Sequence, residues 1–467
     1  MAGIGFVLRK LYNRDDLSGL ASACLHSAFA STGPWLCAVL ALGTISYIDT
    51  DVAGLSEVFK FRVILIYNLS FSLVIAGPVL MIATRYLSDS IYNRDVSGAP
   101  GLLLGSILLV WTVGLMITGP FYLLYTNLEP EIAISAIINF ILLITVWISG
   151  LFISAMRNYA LITRAFIVGM GVAILSSYLL SQRGGAAGIL NGFSFGLTII
   201  SAILIGNLLA EYPYSIQRPF AFLPYFRKYW ELALSGLAYN AAIWVDKWIM
   251  WLAPEAIRLP SNMVVYPVYD SAMFLAYLTT VPAMALFLFS AETNFFEHYS
   301  RYYNDIEKKA PFAKIQKNHA AIMRAIFGSS RNFFILQGSL AILSVVMAPS
   351  LISLIKGNYV QIGMLRYGLI GAFFQVLTLF LIVLLIYFGN RKACFQVQTL
   401  FFVSNAVFTF ASLHAGFPYY GLGYFASTFL TFLVTSWVTY KYVHELPYHT
   451  FITSNASIIA EASDSED

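Results

Sequence analysis

Residues 362–388 read IGMLRYGLIGAFFQVLTLFLIVLLIYF. The stretch carries one charge, Arg366, and shows no alternation of apolar and polar positions. A helix rising about 1.5 Å per residue crosses about 30 Å of hydrocarbon in about 20 residues, whereas a barrel strand takes about 10 and alternates. The stretch therefore reads as a membrane-spanning helix. Similar windows recur on both sides of it, at 20–48, 61–87, 101–125, 132–156, 159–180, 187–209, 229–252, 269–290, 332–355, 393–413 and 420–443. The expected fold is an all-α integral membrane protein of about twelve transmembrane helices.

Composition agrees. Of 467 residues, 59% are hydrophobic and 11% charged, against roughly 25% charged in a soluble domain. Too few polar side chains are present to cover a water-facing surface. Cys24, Cys37 and Cys394 lie in or beside apolar stretches and read as small core residues rather than a disulfide framework. Arg9, Lys10, Arg14, Asp15 and Asp16 precede any long apolar run, so no cleavable signal peptide is expected. A net charge of +4 gives no reason to expect nucleic acid.

The positive-inside rule tests the span map. With the N-terminus in the cytoplasm, twenty of the 27 Lys and Arg fall on the inner side and seven on the outer. A wrong span count would scramble this alternation, so both termini are expected in the cytoplasm. Residues 1–19 read as an interfacial segment through Ile4, Leu8 and Leu11. The spans divide into a six-helix lobe at 20–210 and another at 229–443, joined by the polar cytoplasmic connector 211–228. The cytoplasmic loop 291–331 has helical apolar spacing at Ile315, Ile322 and Ile326 and reads as a surface helix, a docking site for a soluble partner, or a plain connector. The tail 444–467 ends in an acidic run.

Missing motifs narrow the class. No G-x-x-x-x-G-K-[ST] loop or metal-ligand histidine spacing occurs. No enzyme activity, cofactor or metal is expected. The informative residues are polar groups inside spans. In the seventh window Glu231, Ser235, Tyr239 and Asp246 fall within about 80° of helix face, with Trp230, Trp244 and Trp248 on the far side. This face either lines a water-filled pathway, or Asp246 and Lys247 reach out to headgroups at the span end. Lys247 points about 100° from Asp246, so the two are not expected to pair. Tyr266, Asp270, Phe274 and Tyr277 form a stripe fit to hold a sugar by stacking, or an ordinary interfacial helix end. His26 is a candidate proton-responsive group on a face of small residues that otherwise reads as close helix packing. Pro34, Pro78 and Pro282 are candidate gating positions, since proline frees a backbone carbonyl.

Several segments resemble the PelG family of exopolysaccharide exporters, within the multidrug/oligosaccharidyl-lipid/polysaccharide exporter superfamily. They are Met1-Ala-Gly-Ile-Gly-Phe6 with Leu8-Arg9-Lys10, Ser31-Thr-Gly-Pro-Trp35, Gly77-Pro78 with Thr84-Arg85-Tyr86-Leu87, and Trp244-Val-Asp-Lys-Trp248. Pro267-Val-Tyr-Asp270 with Met273-Phe-Leu-Ala276, Glu292-Thr293 and Tyr419-Tyr-Gly421 complete the set. The family's usual acidic residue after the opening Phe is Val7 here. The resemblance implies a two-lobed, multi-pass protein of the bacterial inner membrane that exports Pel, a partly deacetylated amino sugar polymer of the biofilm matrix. It implies as partners the polysaccharide, membrane lipids, a cytoplasmic glycosyltransferase and cyclic-di-GMP-responsive membrane proteins of a Pel synthase complex. An ion-coupled multidrug or small-molecule antiporter on the same fold is the alternative.

Overall fold

The computed structural model describes residues 17–156, 158–284, 295–354 and 357–453, with side chains from Thr32 onward. Residues 1–16 of the interfacial segment, the Glu292-Thr293 motif and the acidic end of the tail lie outside the described residues.

Helices α1 (Leu17–Ala53) and α2 (Leu55–Tyr92) meet at Gly54 alone, whose φ of 91° is open to glycine at little cost. Next come α3 (Ala99–Pro120), α4 (Pro130–Ala155) and the 53-residue α5 (Tyr159–Glu211). Gly185, with φ 49° and ψ −131°, interrupts α5. The chain folds back there: a Cβ at Gly196 would lie 2.5 Å from Gly169 O, and Ser176 Oγ donates to Gly192 O at 2.8 Å. The two limbs thus match the windows read at 159–180 and 187–209. Glu57 of α2 accepts from Ala186 N at 3.0 Å, placing a carboxylate on the first turn of the second limb. Gly185→Ala is expected to lower stability by about 1–2 kcal/mol, since a Cβ disfavours positive φ and would lie 3.0 Å from Glu57 Oε2. Thermal unfolding in detergent reads this directly.

A short helix α6 (Leu223–Lys228) leads into α7 (Trp230–Met250). Strands β1 (Ile257–Arg258) and β2 (Val264–Val265) then pair antiparallel, Ile257 opposite Val265. The expectation of an all-α chain missed this clip; two residues per strand are too few to show a sequence period. Helix α8 (Pro267–Leu278) breaks at Thr279 and Thr280. Pro282 lacks the N–H that Leu278 O would use, and its ring crowds that carbonyl. Gln337 Nε2 donates to Thr279 O at 3.2 Å.

Further along the chain come α9 (Phe296–Glu307), α10 (Phe312–Val346), the short α11 (Ala348–Leu354), α12 (Gln361–Tyr387), α13 (Arg391–Ala415) and α14 (Leu422–His444). Ile315, Ile322 and Ile326, read as one apolar helix face, are buried with Tyr302, Leu384 and Val443. Among the described residues, eight helices are long and apolar enough to cross a membrane. They become nine if α10 and α11, bent by 67°, form one span.

Two compact units emerge. One comprises Phe29–Asp270 with Gln398–His414, the other Met1–Ala28, Ser271–Val397 and Ala415–Asp467. In the first, α2 packs against α4 and α7, and the backbones of α2 and α7 touch where Gly77 faces Gly236. In the second, α12 packs against α14 and α10, with Phe333 stacked on Phe380 and Phe374 edge-on to Phe429.

Candidate functional site

Helix α7 is the least apolar of the expected spans; its last two turns carry Asp246, Lys247 and Trp248, and Trp251 follows directly. The β1–β2 clip then returns the chain so that Tyr266, Tyr269 and Asp270, in one unit with α7, come against these turns. Asp246 is 0% exposed and Lys247 6%. Lys247 Nζ lies 3.1 and 3.2 Å from the two Asp246 oxygens, donates to Ile243 O at 2.9 Å and sits 5.7 Å from the Trp244 ring centroid. Tyr269 OH donates to Asp246 Oδ2 at 3.0 Å.

This corrects the expectation that Asp246 and Lys247 do not pair. Their Cβ directions do diverge by about 100°, but the four-carbon stem of lysine is long enough to swing its ammonium back. Two charges taken out of water gain far more from meeting than an exposed pair does. The alternative in which both reach toward headgroups also fails, because both side chains end inside protein.

Asp270 lies one turn into this arrangement. Trp251 Nε1 donates to its Oδ2 at 3.2 Å, while Oδ1 is buried with no hydrogen-bond partner. Aromatic rings surround the carboxylates: Trp251 stacks on Tyr67 at 4.7 Å, Tyr67 on Phe121 at 5.7 Å, and Trp248 on Phe71 at 5.0 Å and 5°. Tyr67 OH donates to Val264 O at 2.9 Å and accepts from Val264 N at 3.1 Å, tying α2 to the clip. Trp248 Nε1 is likewise buried without a partner. Trp248 was expected on a lipid-compatible face; it stacks on Phe71 instead, and of the three tryptophans Trp230 is the one counted as exposed.

Of the other expected positions, Ser235 is buried and donates to Gln398 Oε1, and Glu231 and Tyr239 are partly buried. Tyr266 stacks on Tyr269 at 6.3 Å. The stripe from Tyr266 to Tyr277 divides between the units: Tyr266 and Asp270 belong to the first, Phe274 and Tyr277 to the second. There Phe274 is exposed and Tyr277 meets Tyr424 at 6.0 Å. Pro34 and Pro78 lie inside α1 and α2, and Pro282 follows the break after α8. The side chain of His26 lies outside the described residues.

Sequence reasoning missed Tyr67, Trp251 and Tyr269, whose aromatic types are unremarkable in spans. It also missed a closed polar network. Asn68 Nδ2 donates to Ala136 O at 2.9 Å and Asn139 Oδ1 at 3.0 Å, Tyr122 OH donates to Asn68 Oδ1 at 2.7 Å, and Asn139 Nδ2 donates to Ser194 Oγ at 3.0 Å. The signal was present, since Asn68 and Asn139 interrupt apolar runs. Every amide there has a protein partner, so the network reads as helix-to-helix fastening, in contrast to the half-satisfied Asp270.

The comparisons agree with this architecture. The family model PelG, described as Putative exopolysaccharide Exporter (EPS-E), matches residues 1–451. None of the curated proteins compared with it matches the chain. Among solved structures, a MATE in the bent conformation shares 13% identity over 96% of this chain and 99% of that one, with a TM-score of 0.65. A MOP superfamily transporter from Pyrococcus furiosus, described for the reverse polarity of its binding pocket, shares 13% over 91% and 96%, with a TM-score of 0.63. An outward-facing multidrug resistance MATE family transporter shares 14% over 90% and 96%, with a TM-score of 0.62. At such identities the likeness concerns the fold alone, while the family match spans nearly the whole sequence. A multi-pass helical membrane protein with the fold of MATE transporters, this chain belongs to the PelG family of putative exopolysaccharide exporters.

Proposed function

We propose that the protein carries a Pel-type polymer, rich in partly deacetylated amino sugars, across the bacterial inner membrane for the biofilm matrix. It does so with twelve crossings in two six-helix lobes and both termini in the cytoplasm. The charge asymmetry of the loops and the fold-back of α5 at Gly185 support that count. A cytoplasmic glycosyltransferase and cyclic-di-GMP-responsive membrane proteins act beside it, and loop 291–331 is the proposed contact.

The observation that carries the reading is Asp270, a carboxylate with one buried oxygen lacking any donor, set among Trp251, Tyr266 and Tyr269. A cationic or hydroxyl-rich sugar supplies such a donor, and aromatic rings stack on sugar faces. Asp246 already has Lys247 and Tyr269, so Asp270 is the acidic group with capacity left for substrate. The remaining lining residues of this unit are Glu231, Ser235 and Tyr239.

Asp270→Asn is expected to lower secreted polymer about tenfold, the loss of one hydrogen bond to a charged group, at unchanged membrane abundance. Lectin binding to cell-surface polymer, normalised to immunoblotted protein, measures it. Wild-type secretion at normal abundance would remove Asp270 from the pathway.

A further inference from the structure

Within the unit that holds α10, α12 and α14, a groove of about 180 Å³ runs between these three helices. Ile326, Phe327, Leu381, Phe432 and Val443 give it apolar walls, and Ser330, Ser436 and Thr439 add hydroxyls. Thr439 is 2% exposed, and its Oγ1 has no hydrogen-bond partner. A buried hydroxyl left so is uncommon and points to a group received by the groove.

The groove is bordered by Phe327 and Tyr440, whose rings meet edge-on at 6.4 Å and are both exposed. Phe334, Ile335 and Leu433 extend this exposed apolar surface along the same helices. Beside it on α10 stand Lys317, Arg324 and Arg331, seven residues apart. A helix drifts only about 20° per seven residues, so the three cations form one stripe. All three are exposed, and none forms an ion pair among the described residues. Arg324 Nε donates to Ala320 O and Arg331 to Asn332 Oδ1, leaving most of each guanidinium available.

We infer that this groove binds an anionic phospholipid. An acyl chain lies against Leu377, Phe380, Leu381 and Phe432, an ester oxygen accepts from Thr439 Oγ1, and the phosphate sits by Arg324 and Arg331, about 10 Å apart along the helix axis. One molecule joining an anion to a hydrocarbon chain satisfies both halves of the surface. An acidic soluble segment would meet the cations but would leave the groove and its exposed apolar border uncovered.

The full chain, purified in neutral detergent, is titrated with phosphatidylglycerol or phosphatidylcholine of identical acyl chains. Native mass spectrometry counts bound lipid, and thermal unfolding reports its effect. Phosphatidylglycerol is expected to be retained and to raise the unfolding temperature, phosphatidylcholine not. Arg324→Gln with Arg331→Gln is expected to weaken phosphatidylglycerol binding about thirtyfold, the combined share of two interfacial cations. Thr439→Val is expected to weaken it about fivefold while the preference for the anionic lipid persists. Both variants should unfold as wild type does without added lipid, so a folding defect is separable from lost binding. Equal affinity for the two lipids, or unchanged phosphatidylglycerol affinity in the arginine variant, overturns the assignment. So does loss of a co-purifying soluble protein from that variant with lipid binding intact, which would give the stripe to a protein partner.

Discussion

Asp246→Asn alone is expected to destabilise the protein by about 3–5 kcal/mol, and adding Lys247→Met to recover most of that loss. The asymmetry follows from burial. Lys247 Nζ is held by both oxygens of Asp246 in a site where the two residues are 6% and 0% exposed. Removing the carboxylate charge leaves the ammonium in a medium that cannot solvate it, whereas removing both charges leaves a neutral side chain that still accepts from Tyr269 OH. Thermal unfolding of the two variants in detergent, followed by tryptophan fluorescence, measures the difference. Equal stability of single and double variants would mean that the pair is hydrated and not buried as described. Polymer secretion by the stable double variant then separates two roles. Normal secretion assigns the pair to holding Tyr269 against α7, and lost secretion assigns it to the pathway.

Gly77→Val or Gly236→Val is expected to cost about 1–3 kcal/mol and to reduce export in proportion to the loss of folded protein. Even a Cβ on Gly77 would lie 2.7 Å from Gly236 O, and one on Gly236 would lie 2.6 Å from Gly77 O. Backbone faces backbone on both sides, so shifting the nearby Asn240 and Met81 side chains cannot relieve the clash; α2 and α7 must separate. Small residues allow this approach, and in a membrane close packing replaces the hydrophobic drive as the source of helix association. Gly206 supplies the control. A Cβ there meets nothing within 4 Å, and Gly206→Ala should be neutral or stabilising by about 0.5–1 kcal/mol, as for any helical glycine. Circular dichroism melts of the three variants test the contrast. An unaffected Gly236→Val would show that the helices do not cross at this point.

Much of this fold can be read without coordinates, and the reasons are specific. Windows such as 362–388 are too apolar and too long for anything but a helix in lipid, and α12 spans Gln361–Tyr387. The tight joints at Gly54, between α1 and α2, and at Gly185, inside α5, both at positive φ, came only from the structure. The β1–β2 clip was not legible, because its two-residue strands carry no period. Site residues were legible only by type. Asp246 and Asp270 stand out as carboxylates in apolar surroundings, but helical angles alone separated Asp246 from Lys247, since such angles track Cβ and ignore the reach of a long side chain.

The amino-acid sequence by itself determined the solvent, the long apolar helices and the family, because each depends on composition, apolar run length or motifs that are local along the chain. The tertiary structure decided which charges are paired. It joined Asp246 to Lys247 and Tyr269, gave Asp270 one donor and left its second oxygen without one, and set Gly77 against Gly236. Those outcomes turn on distances of about 3 Å between groups far apart in sequence or on diverging helix faces, and an electrostatic energy that falls with distance and dielectric is fixed only once the chain has packed.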